Sequence, residues 1–163
     1  MWQVKFDFYY MHSVNSSIFL PVFNTQQWLS PASKIRLLKF KVYTDLALYA
    51  SRRSAPLLLD EVANYVPLKN EGWPGVWERL FRLDDDGHAP KLGRAVAVGE
   101  RLMRDGGYEN EGWAKVKGGM WEKIGNMVVD SVEDTDPMAR WVRSAGFDEA
   151  WEDYGDRPDG TRG

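Results

Sequence analysis

The sequence predicts an all-α protein: an irregular helical domain of about six to seven helices, one part of a larger helical fold. Three observations lead there. Apolar residues recur at helical spacing in segment after segment. Helix start and stop signals, Ser-Pro, Asp-Pro and Gly-Gly, stand between those segments. No run alternates β-branched residues, and no Asn-Gly dipeptide marks a hairpin.

The first element is expected over 6–23, where Phe6, Tyr10, Val14 and Ile18 share a face with Met11 and Phe19 beside them. Tyr9, His12, Ser13 and Ser16 form the opposite stripe, and Pro21 disfavours continuation. Ser30-Pro31 is a hydroxyl N-cap followed by a first-turn proline. The helix it opens is expected to reach about Arg53, with Ile35, Leu38, Val42, Leu46 and Tyr49 on one seam. A short helix follows over 56–65, closed by Pro67, and 68–74 reads as a loop. Helices are then predicted over 76–83 and 88–104, the second stopped by Gly106-Gly107. The last two are expected over 120–134 and, after Asp136-Pro137, over 138–144, with Gly146 as the stop. Residues 1–154 thus form one helical domain, and the Gly-, Asp- and Pro-rich residues 155–163 form a flexible tail.

Composition narrows the function classes. The 163 residues suit a single core, and 44% apolar with 28% charged residues is ordinary for a globular chain. A net charge of −3 without a basic stretch leaves nucleic acid no electrostatic footprint. The absence of cysteine excludes a disulfide scaffold, a thiol nucleophile and an iron–sulfur centre, and agrees with a cytoplasmic location. No apolar stretch is long enough for a bilayer, and Lys5, Asp7, His12 and Asn15 interrupt the hydrophobic opening too often for a signal peptide. Opening directly on so amphipathic a segment suggests a start inside a larger fold. Eight Trp, seven Tyr and seven Phe raise the expectation of an aromatic-lined cavity for a flat ligand.

The chemistry-bearing residues are few. His12 stands on the polar stripe of its helix, either as a core histidine satisfied by a neighbouring hydroxyl or carbonyl, or as a proton acceptor facing a cavity lined by Tyr9 and Ser16. Asp45 falls on the apolar seam of the helix after Pro31, where a carboxylate must be paired; a buried ion pair and a catalytic role both meet that need. In Asp85-Asp86-Gly87-His88, the acids are placed to cap a helix. Lys91 and Arg94 are spaced either to hold an anion or to form a solvated face. His12, His88 and Asp45 supply the donor types of a facial iron site, but from three separate helices, so the part of a metal stays open. There is no Gly-x-Gly-x-x-Gly after a strand, hence no flavin or dinucleotide fingerprint, and no Gly-x-Ser-x-Gly elbow.

Five stretches carry a resemblance: DFYYMHSVNSSIF from Asp7, KIRLLKFKVYTDLALYASRRSAPLL from Lys34, DDGHAPKLGRA from Asp85, MVVDSVED from Met127 and RWVRSAGFDEAW from Arg140. In this order the sequence resembles the questin oxidase-like family, which includes fungal Baeyer–Villiger-type oxidases of aflatoxin-related and anthraquinone polyketide pathways. The resemblance implies oxidation of an aromatic polyketide by oxygen, with NADPH as reductant. His12, Asp45, His88, Lys91 and Arg94 fall in or beside its recurring motifs; with the residue pattern this makes His12, Asp45 and His88 the catalytic candidates and Tyr9, Ser16, Lys91 and Arg94 the substrate-binding candidates. Members of the family are much longer, and the chain corresponds to their C-terminal part. Two readings follow: an oxidoreductase domain completed by a missing N-terminal half, or a non-catalytic helical module that docks a partner or forms a homodimer.

Overall fold

In the computed structural model the described residues are 4–155. They form seven α-helices, α1 (Tyr10–Ser17), α2 (Phe19–Thr25), α3 (Pro31–Ser51), α4 (Leu59–Asn64), α5 (Gly72–Arg82), α6 (His88–Asp105) and α7 (Met120–Val132), with three short 3-10 turns. Among these residues the sole extended pairing is an isolated parallel bridge between Asp7 and Val142. The all-α class is therefore what the sequence predicts. Of the tail expected over 155–163, residues 156–163 lie outside the described residues.

The core is built where helical faces are one-sided. Val76 and Leu80 of α5, Ala89, Leu92 and Val96 of α6, and Val128, Val129 and Val132 of α7 meet Met11 of α1 and Trp141 in one buried cluster. Helix α6 packs along α7 and across α1, and α5 packs on α7. Much of the aromatic content serves this packing. Trp73 stacks on Trp77 at 5.3 Å and donates its indole N–H to Glu100 at 2.7 Å. A Cβ at Gly125 would come within 2.8 Å of the Trp73 ring, so the glycine lets α5 close on α7.

Three elements depart from expectation, each for a local reason. The helix expected over 6–23 is two helices broken at Ile18. A proline ring clashes with the carbonyl four residues back, here that of Ser17, so Pro21 breaks the chain upstream of itself and sits in the first turn of α2. Helix α5 starts at Gly72 instead of Val76, because Pro74 opens it as a first-turn proline instead of closing the preceding loop. The helix expected over 138–144 is only a 3-10 turn, Pro137–Ala139. Beyond it the backbone is taken by the N-terminal strand segment: the Phe8 N–H donates to Val142 O at 2.7 Å, and the Val142 N–H donates to Phe6 O at 3.1 Å.

Helix α3 forms as read. The Ser30 hydroxyl accepts the Ser33 N–H at 3.2 Å, and Pro31 opens the helix. Its apolar seam, however, is not buried: α2, α3 and α4 contribute no buried residue.

Candidate active site

The site grows from the N-terminal cap of α1. Asp7 is buried; one carboxylate oxygen accepts the N–H groups of Tyr9 (2.7 Å) and Tyr10 (2.8 Å), and the other accepts that of Ala145 (2.6 Å). This ties the start of α1 to the 140s loop and presents Phe8 between α1 and α6. A second carboxylate cap opens α6. Asp85 accepts the Ala89 N–H at 2.8 Å, Asp86 accepts the His88 N–H at 3.3 Å, and Gly87 supplies the left-handed turn (φ 92°) before the helix.

The crossing of α1 and α6 brings the two histidines together. Their ring centroids are 5.5 Å apart, and each lies 5.0 Å from the Phe8 ring. Trp141 stands 6.4 Å from Phe8 on one side, and the Arg143 guanidinium lies 4.8 Å from its centroid. The Nδ1 of His12 is 2.6 Å from the Phe8 carbonyl oxygen, which can only accept, so Nδ1 carries a proton. The Nδ1 of His88 is likewise hydrogen-bonded to the Asp86 carboxylate. That bond holds the Asp86 carboxyl below the usual carboxylate range. In the neutral state both Nε2 atoms are thus left with lone pairs, the form in which imidazole acts as a base.

The other predicted residues are dispersed. Asp45 pairs with Lys41 one turn back on its own helix, and the carboxylate that orients a histidine is Asp86. Tyr9 lies under the Arg52 guanidinium, 3.9 Å from the ring centroid. The Ser16 hydroxyl turns back onto the His12 carbonyl at 2.8 Å. Lys91 and Arg94 are exposed on α6, and no ion pair engages either among the described residues. Arg94, six positions beyond His88, is about 120° around the helix from it.

The described residues do not enclose the expected aromatic cavity around His12: His12 is exposed, and Phe8 and Trp141 form a wall on one side. The two clearest recesses lie elsewhere, one lined by Asp60, Glu61, Asn64, Tyr65 and Val66 and the other by charged residues around Arg79. Among the described residues no group of three or more His, Asp or Glu side chains is placed to hold a metal ion. Sequence reading missed Phe8 as the neighbour of both histidines and Arg143 as the neighbour of Phe8. Phe8 had a signal, since it precedes His12 by four residues and so shares its stripe. Arg143 had none, because a loop brings it there.

These features define a class: an all-α protein presenting two base-form imidazoles against an aromatic wall. The sequence profile of the questin oxidase-like family matches residues 2–96. The chain belongs to that family, an oxidoreductase family by the names of its relatives. It is 37% identical to a Baeyer–Villiger monooxygenase of Aspergillus aculeatus, over 95% of this chain and 32% of that protein. It is 38% identical to a Baeyer–Villiger monooxygenase of a Cryptosporiopsis species, over 95% of this chain and 34% of the relative. With a questin oxidase of Aspergillus fumigatus the identity is 33%, over 90% of this chain and 33% of the relative. The chain thus spans about a third of the length of the curated relatives it matches. No helix among the described residues is long and apolar enough to cross a membrane.

Proposed function

We propose that this chain carries the acid–base part of a site for oxygen-dependent oxidation of an aromatic polyketide, in the cytoplasm, with NADPH as reductant. The observation that supports it is the 5.5 Å pairing of His12 and His88 with both Nδ1 atoms engaged. An Nε2 lone pair takes the proton of a phenol or enol, and the resulting electron-rich carbon reacts with oxygen. One oxygen atom enters the substrate beside its carbonyl and the other leaves as water, a balance that needs two electrons. NADPH supplies those electrons as hydride. Lys91 and Arg94, exposed and without ion-pair partners among the described residues, suit its phosphates in charge. Arg143, over the Phe8 ring, is the cation available to a phenolate bound against that wall.

The test is oxygen uptake with NADPH and questin. The chain is measured alone and as a fusion in which it replaces the matching third of the A. aculeatus relative. The account expects substrate-dependent uptake by the fusion and at least a hundredfold loss in kcat for His12→Ala and His88→Ala, about 3 kcal/mol in barrier height. Turnover unchanged by both substitutions would refute the assignment.

A further inference from the structure

Helix α3 has the composition of an interior helix and the exposure of a surface one. Ile35, Leu38, Phe40, Val42, Tyr43 and Leu46 are between 45 and 63% exposed, and the helix buries no residue in its 21. At about 100° per residue these six side chains fall within an arc of roughly 200°, which they share with the exposed Arg36 and Lys39. Only the strip with Leu37 and Leu48, half-buried, faces the rest of the chain. Phe19 and Val22 of α2, both about half exposed, and Leu57 beyond the end of α3 extend the apolar surface at either end. Large apolar side chains spread over so wide an arc, on the side turned away from the core, call for neighbours on more than one side. A patch of this kind marks an interaction site on a soluble protein.

The breadth of the arc decides the occupant. A second copy crossing α3 in a two-fold dimer covers one stripe, about 100° wide, and leaves Phe40 and Tyr43 in water. Covering the whole arc takes helices on two sides. The curated relatives are about three times the length of the region they share with this chain. We infer that α3 is an internal helix of the family fold, and that the polypeptide of the other two-thirds packs around it on the arc from Leu38 to Phe40. This rests on family membership and not on the histidine chemistry, so its test needs no activity.

Because the chain has no cysteine, single thiols report cleanly. Val42→Cys and Phe40→Cys lie on opposite sides of the arc, and their exposure makes both substitutions compatible with folding. Maleimide labelling at each is measured in the isolated chain, in the fusion with the remainder of the A. aculeatus relative, and with cysteine at the aligned positions of the intact relative. Each rate is normalised to the rate in urea and read by peptide mass spectrometry. Near-unfolded rates are expected at both positions in the isolated chain, with at least tenfold slowing at both in the fusion or the intact relative. Labelling in the intact relative as fast as in the isolated chain would overturn the proposal. So would a sedimenting dimer of the isolated chain in which both thiols are already protected, which would assign the arc to a second copy.

Discussion

At the scale of single residues, the site depends on carboxylates that cap backbone. Asp7 accepts three backbone N–H groups across the junction of α1 and the 140s loop, and nothing else in the described chain takes those donors. Replacing it with Ala leaves three half-buried N–H groups without an acceptor, so Asp7→Ala is expected to cost about 2 kcal/mol in urea denaturation. The two histidines were legible in the sequence because there are only two and each breaks its surroundings. Their meeting was not, since it depends on how α1 crosses α6. Asp45 drew attention because a carboxylate on an apolar seam needs a partner; that seam is largely exposed here, and the partner is Lys41 one turn back on the same helix. Asp86 read correctly as a cap, and its bond to the His88 ring is a tertiary detail of that same turn.

At the scale of elements, α4, α5 and α7 are joined by a buried polar network. Asp130 of α7 accepts the Tyr65 hydroxyl at 2.6 Å, the Leu68 N–H at 3.0 Å and the Arg79 guanidinium at 2.6 Å. Arg79 also reaches Glu133 at 2.6 Å. Burial, and then the bond to Asp130, pushes the Tyr65 hydroxyl pKa upward. Removing Asp130 leaves the Arg79 guanidinium to Glu133 alone and takes the acceptor from the Tyr65 hydroxyl and the Leu68 N–H, so Asp130→Ala should cost about 3 kcal/mol, whereas Tyr65→Phe should cost about 1–2 kcal/mol. Arg79 holds the Glu133 carboxyl below its ordinary value. The stability this lends is complete above the unfolded carboxyl pKa of 4.5 and is lost as pH falls through the lowered folded value. Chemical denaturation at pH 6 and pH 3 should therefore show a larger loss for the wild type than for Glu133→Gln. Helix existence was legible at this scale from caps and periodicity, as at Ser30-Pro31. The ends governed by Pro21 and Pro74 were not, because a proline opening a helix and one ending it look alike until the neighbouring backbone is placed.

At the scale of the molecule, two halves of the chain differ in how they are finished. The α5–α7 half encloses a core with Met11 and Trp141, whereas α2–α4 bury nothing. The seam on α3 was legible in the sequence, but periodicity reports which residues share a face and not whether anything lies against it. The aromatic excess was legible as well, and its use was not: Trp73 and Trp77 hold helices together instead of lining a cavity. If the α3 arc is internal to the family fold, the wall of Phe8 and Trp141 forms one side of a pocket that the remaining polypeptide closes, and the isolated chain should turn over far more slowly than the fusion.

The central claim is that the fold sets two histidines side by side with both Nε2 atoms available as bases. With only two histidines in the chain, long-range proton–nitrogen correlation spectra of the imidazoles read their tautomers without overlap. The account predicts that in the neutral state both rings are protonated at Nδ1, with cross-relaxation between ring protons of His12 and His88 and between each ring and Phe8. Nε2-protonated rings lacking any cross-relaxation to one another would contradict it.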